Sequence, residues 1–252
     1  MSGLRVERDG PVLRVTLARP ERRNAFDAEL IRELTEAFAD VGDARAVVLA
    51  GEGESFSAGA DVEWQRSAIE LDFDENVEDA LRLYRMLDAI DSAQAPVVAR
   101  IQGYCLGGGC GLAACADVGI AASDAVFGFS EVKLGIVAAV ISPFALERIG
   151  NGAARRYFLT GERFDAEVAL QIGLVHEVAP ELDDAVDRVV GELLSSGPVA
   201  AREAKALIRR RSRDPAELAQ LAARLRTSDE GQEGLRAFLE KRAPAWRSES
   251  SS

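Results

Sequence analysis

Residues Gln102–Asp117 read QGYCLGGGCGLAACAD, and no acid, base or hydroxyl lies between Leu106 and Ala116. Three glycines run together at Gly107, Gly108 and Gly109, and Gly111 follows. Short apolar runs flank the stretch: Val97–Ile101 (VVARI) before it and Val118–Ala121 after it, both with the make-up of strands buried on two faces. Phosphate-binding motifs fail here, because no Lys follows the glycines and Leu112 stands where GxGxxG needs its last Gly. What remains is backbone. A glycine turn between a strand and a helix exposes free N–H groups at the helix N-terminus, where the dipole favours negative charge. Such donors can hold an oxygen on which charge develops, and losing one costs roughly 10²–10³ in rate. Taken alone, the glycines are better explained as a tight turn that packs a helix closely on a sheet.

A second loop changes that balance. Ser55–Asp61 reads SFSAGAD and lies between the apolar run Ala46–Ala50 and a helix. Two such loops on neighbouring strands can aim two N–H groups at one carbonyl oxygen. Asp61 itself reads as the N-cap of the next helix. Further out, Leu4–Leu17 alternates around Asp9-Gly10, a hairpin signal. Asp27–Val41 has helical spacing with Asp27 as N-cap, and Val77–Ser92 is an amphipathic helix broken by Pro96. Val62–Asp74 is acidic and poorly periodic and is expected to be mobile. From about Arg155 the pattern is helical, and the polar tail SESSS is expected to be disordered. Strand, helix, strand, glycine turn, helix, strand is α/β order, which places ligands at loops that follow strands.

The chain has 252 residues, 48% hydrophobic, with a formal charge of -12. That suits one large domain able to bury a core. The charge repels nucleic acid and anionic membrane, so neither is expected as a partner, and an anionic ligand needs a local basic patch. Cys105, Cys110 and Cys115 are five apart, neither CxxC nor a zinc spacing, and read as buried thiols in a reducing compartment. No signal core or run of 18 apolar residues occurs, so the expected location is cytoplasmic. His176 is the only histidine and sits in an apolar run, LVHEV, which reads as structural and leaves no His-rich metal site.

Five stretches together carry a resemblance: RPERRNAF (19–26), FSAGAD (56–61), the glycine stretch within 95–117, FGFSEVKLGIV (127–137) and YFLTGERFDAEVALQIGLVHEV (157–178). The chain resembles the enoyl-CoA hydratase/isomerase, or crotonase, superfamily over nearly its whole length. The resemblance implies an α/β fold, a crotonase-like spiral of ββα units over residues 1–195, with a helical C-terminal trimerisation region over 196–252. It implies a homotrimer or a hexamer built as a dimer of trimers. It also implies stabilisation of an acyl-CoA thioester enolate by the backbone N–H groups of Ala60 and Gly108. CoA is then part of the substrate, and no separate cofactor or metal is expected.

Family hydratases carry two glutamates. The second falls on Glu131, and the first falls on Gly111, where it is missing. A single carboxyl can still move a proton or activate water, help worth roughly 10²–10⁴, and partial burial would raise its pKa. The resemblance places CoA phosphates and pantetheine at Arg22, Arg23 and Ala25, adenine at Ala58, and the closing C-terminal contacts at Phe238 and Lys241. Asp61 and Gly107 join the substrate-binding set. The run SEVKLGIVAAVISPF, with GGGCG upstream, looks most like bacterial methylglutaconyl-CoA and carboxygeranoyl-CoA hydratases, although Ala138 replaces their usual Pro. That points to a branched or carboxylated enoyl-CoA. Lys133 is a candidate partner for a second carboxylate if its segment is a strand, because i and i+2 then share a face. Two other readings stand beside the hydratase: an isomerase or decarboxylase-like enzyme using one carboxylate, and a non-catalytic acyl-CoA-binding subunit. Glu63 is a further acid that could replace the missing glutamate.

Overall fold

The computed structural model describes residues 3–248. The chain opens with an antiparallel hairpin, β1 (Leu4–Asp9) and β2 (Val12–Leu17), turned at Asp9-Gly10 as the alternation predicts. Then follow α1 (Ala28–Ala39), β3 (Ala46–Gly51), α2 (Val62–Ser67), α3 (Phe73–Ser92), β4 (Val97–Ile101), β5 (Tyr104–Leu106), α4 (Gly108–Cys115), β6 (Val118–Ala122) and β7 (Val126–Gly128). The second half holds α5 (Ser142–Thr160), β8 (Arg163–Asp165), α6 (Ala166–Gln171), β9 (Glu177–Ala179) and α7 (Leu182–Ser195). Four helices close the described chain: α8 (Pro198–Arg210), α9 (Pro215–Thr227), α10 (Asp229–Glu240) and α11 (Ala245–Ser248).

The large sheet runs β1-β2-β3-β4-β6-β9 and is parallel from β2 onward. Its inner strands are buried on both faces. In β3, Val47 and Leu49 enter the main core, while Ala46 and Val48 pack with Leu182, Ala185 and Val186 of α7. That is why AVVLA is apolar without alternation. Each fully buried Val or Leu contributes about 1.5–3 kcal/mol of transfer free energy.

A small second sheet, β5-β7-β8, explains the position of the site. β4 lies in the large sheet and, after Gln102-Gly103, β5 lies in the small one; β6 and β7 repeat the step. The segment after β3 takes the same turn without becoming a full strand. It pairs through a parallel bridge between Ser57 and Cys105, and a second bridge joins Phe26 to Ala60. Successive strand-end loops are thus stacked side by side in parallel.

Two expectations are corrected. Val62–Asp74 is not irregular but forms α2 and the start of α3. Asp61 caps α2, and Asp72 caps α3 through a reciprocal capping box with Glu75, so caps supply the order that periodicity lacks. Residues Glu131–Leu134 are not a strand but a 3₁₀ turn after β7. At about three residues per turn, i and i+2 diverge, so Lys133 does not share the face of Glu131. Its side chain packs on Gly161 instead. The tail beyond residue 248 lies outside the described residues.

Candidate active site

The two loops meet closely. Ser57 N–H donates to Tyr104 O (3.0 Å) and Leu106 N–H donates to Ser57 O (3.0 Å), locking loop 55–61 against β5. Phe26 N–H donates to Gly59 O, and Asp61 N–H donates to Phe26 O, each at 2.9 Å. These bonds use the amides on either side of Ala60. The Ala60 N–H itself donates to no protein acceptor among the described residues, and neither does the Gly108 N–H at the start of α4. Both residues are half-buried and line the same cavity, so these donors stay open to a ligand there.

Glycine is needed where the loops touch. Gly59 has φ +88, and a Cβ there would meet Leu106 O at 2.6 Å and Gly108 N at 3.2 Å. A Cβ on Gly108 would strike Phe26 Cζ at 2.2 Å. The two free amides are therefore brought together by backbone contact that a side chain would prevent.

Ala60, Gly107, Gly108 and Glu131 line one cavity of about 290 Å³, with Phe26 and Trp64 among its apolar walls. Gly107 N–H donates to Gly128 O (2.8 Å), which ties the glycine turn to β7 just before the turn that carries Glu131. Phe129 is buried and packs at a tilt against Phe158, with ring centroids 4.6 Å apart, and anchors that turn. Glu131 Oε1 lies 3.2 Å from where a Gly107 Cβ would be, and Glu131 Oε2 is buried without a hydrogen-bond partner. Burial pushes the Glu131 carboxyl above its ordinary range, against a small opposing effect of its own backbone amide. An uncommitted carboxyl beside two uncommitted amides can exchange a proton with a substrate whose carbonyl those amides hold.

The family model described as enoyl-CoA hydratase/isomerase matches residues 7–249. The chain belongs to the enoyl-CoA hydratase/isomerase family. It is 36% identical to a putative enoyl-CoA hydratase of Thermus thermophilus over 246 residues, covering 93% of this chain and 97% of that one. It is 33% identical to a crotonyl-CoA hydratase of Syntrophomonas wolfei, covering 94% and 95%. Among solved structures, an enoyl-CoA hydratase from Shewanella pealeana superposes with TM-score 0.92 at 39% identity, over 97% of this chain and 96% of that one. Pseudomonas aeruginosa AtuE gives TM-score 0.93 at 36% identity, over 97% and 99%. The fold is that of the enoyl-CoA hydratase/isomerase family, and its stacked ββα turns are those of the crotonase spiral.

The other sequence-derived residues fall in three places. Ala58 lines the cavity, and its N–H donates to Arg23 O (2.9 Å). Ala25 is buried, with its carbonyl held by Arg19. Arg22 is half-exposed and bonds Asp61 Oδ2 (2.9 Å), while the Arg23 guanidinium lies over the Tyr104 ring. Asp61 is the N-cap predicted for it, accepting from Glu63 N–H (2.8 Å). Burial would raise the Asp61 carboxyl, but Arg22, the Glu63 amide and Arg19 outweigh that and hold it below its usual value. Phe238 and Lys241 lie at the end of α10, away from the cavity lining, with Phe238 exposed. Lys133 is outside the lining as well. Glu63 pairs with Arg66 on the exposed side of α2 and does not replace the missing glutamate. At Gly111 a Cβ would meet Ile141 Cγ2 at 2.7 Å and Leu87 Cδ2 at 3.4 Å, so apolar side chains fill that place.

Sequence reasoning passed over Arg19, Asn24 and Asp79. Asn24 is fully buried with φ +53. Its Nδ2 donates to Glu52 O and Ser55 O, its Oδ1 accepts from Arg19 N, and its carbonyl accepts from Ser57 Oγ. It staples the RPERRNAF turn to loop 52–57. The available signal was an Asn inside a charged turn, a residue that tolerates the left-handed region.

Proposed function

We propose that the chain hydrates a 2-enoyl-CoA thioester, with the Ala60 and Gly108 amides holding the thioester oxygen and Glu131 handling the proton. The observation that carries this reading is the buried, unpartnered Oε2 of Glu131 in the cavity lined by both amide donors. Charge gathers on the thioester oxygen as water adds at Cβ, and two preorganised N–H dipoles meet it without reorganisation. Glu131, as carboxylate, takes the proton of the attacking water; as acid, it delivers a proton to Cα, completing addition with no net change in the enzyme. Arg22 and Arg23 supply the local positive charge for the CoA phosphates on an acidic chain. A branched acyl group suits the apolar walls formed by Trp64, Leu83, Leu134, Ile136 and Ile141.

Gly111 favours a second reading, isomerisation of a 3-enoyl-CoA through the same enolate, because that reaction needs only one carboxyl to carry a proton between carbons. Turnover assays with 2-enoyl and 3-enoyl thioesters separate the two. Glu131→Gln is expected to lower kcat by about 10²–10⁴ while acyl-CoA still binds. Acyl-CoA binding with unchanged turnover in that variant would instead support a non-catalytic subunit. We also propose assembly as a trimer or hexamer through the C-terminal helices, supported by the exposure of Ile208, Phe238 and Leu239 at 76%, 81% and 76%. Light scattering on the eluted protein measures that mass directly.

A further inference from the structure

We propose that Asp79 is a specificity-determining residue that makes the acyl pocket reject acyl groups bearing a carboxylate, so that the substrate is an uncharged enoyl thioester. This rests on the reading of the cavity as the acyl-CoA site. α3 forms one wall of the cavity through Asn76, Asp79, Ala80 and Leu83. The two charged residues in the lining are Asp79 and Glu131, both acids, and no Lys, Arg or His lines it among the described residues. The Asp79 side chain is only 13% exposed. Its ion partner is Arg82 at 3.5 Å, which is 57% exposed and stays outside the lining.

The neutral groups nearby do not compensate. Asn76 Nδ2, one turn before Asp79, is already committed to the carbonyls of Ala68, Leu71 and Asp72. Gln65, Ser130 and the Trp64 indole are the remaining polar side chains of the lining, and none of them carries a charge. Lys133, the cation the sequence offers, packs on Gly161 outside the cavity. An acyl carboxylate would thus leave water to enter an apolar cleft already holding two acids. Burying an unpaired charge beside like charge is unfavourable both by desolvation and by repulsion. The proposed phosphate contacts, Arg22 and Arg23, lie outside the cavity lining, so the CoA phosphates would not meet this barrier.

The test compares unreactive saturated thioesters of equal chain length, pentanoyl-CoA and glutaryl-CoA, by calorimetry on the full-length protein. Wild type is expected to bind pentanoyl-CoA about tenfold or more tightly than glutaryl-CoA. Asp79→Asn and Asp79→Ser are expected to bring that ratio to within about threefold by improving glutaryl-CoA binding, leaving pentanoyl-CoA nearly unchanged. Arg82→Gln is expected to keep or widen the ratio. Equal or tighter glutaryl-CoA binding in wild type, an unchanged ratio in both Asp79 variants, or a loss of glutaryl-CoA binding confined to Arg82→Gln would overturn the proposal. The last result would mean that Arg82 turns inward to hold the carboxylate. Because binding is read without turnover, a protein that hydrates no enoyl-CoA but shows the expected ratio would refute the hydratase reading and leave this one standing.

Discussion

Asp61 and Glu131 are two carboxylates beside the same pair of loops, and their surroundings are opposite. Asp61 is 4% exposed, and its oxygens are taken by the Glu63 amide, Arg22 and Arg19. Glu131 keeps one oxygen buried with nothing bonded to it. Burial opposes the charge of both, yet partners pull Asp61 below its usual pKa and Glu131 stays raised. A folded chain tolerates a buried carboxylate that is fully bonded, because the interactions return what desolvation removes. An oxygen left unbonded within the cavity lining stays free to meet a substrate. The first carboxylate holds the loop together; the second is the one proposed to act on what the loop binds.

The sharpest way to break this contrast is to remove the charge of each in turn. Glu131→Gln should cost about 10²–10⁴ in kcat with the fold intact, and Asp61→Ala should do the reverse, lowering stability by about 2 kcal/mol through the lost cap and the lost ion pairs to Arg22 and Arg19. Chemical denaturation and steady-state kinetics on both variants measure the crossover; a Glu131 variant with full kcat removes it. Next in size is Gly108→Ala. Its methyl group cannot share space with Phe26, so the amide must shift, and a kcat loss of about 10²–10³ is expected with little change in CoA affinity.

Much of this was legible beforehand, for local reasons. The hairpin, the Asp27 and Asp61 caps and the doubly buried strand β3 each follow from a few neighbouring residues. The glycine turn announced amide donors because no side chain there could react. Asn24 and Arg19 were not legible, since their partners lie on loops brought in by sheet stacking. Asp79 sits on a helix read only for its apolar stripe, and it extends that same face past Leu83 into the cavity wall. Whether the segment with Glu131 is a strand is left open by its sequence; the structure makes it a 3₁₀ turn closed by Gly135 in the left-handed conformation.

Two smaller effects of pH sharpen the comparison further. If Glu131 acts as a base, the acid limb of kcat/KM lies above about 4.3, the ordinary glutamate value, and Glu131→Gln abolishes that limb. In stability the sign follows from the raised folded-state pKa. The contribution of Glu131 is fully present below the unfolded value and is lost as pH rises through the folded one. Glu131→Gln should therefore melt higher than wild type at neutral pH, with the gap closing on acidification below about 4. The same scan on Asp61→Asn should show the opposite trend, its deficit largest at neutral pH and shrinking in acid.

The packing over Gly111 bears on how such sites diversify. Introducing glutamate at 111 alone forces atoms into Ile141, and trimming Ile141 alone opens a hole against Leu87. Each single change is a loss, and only the pair makes room for a new acid. A second carboxylate on α4 at this position therefore needs both changes together.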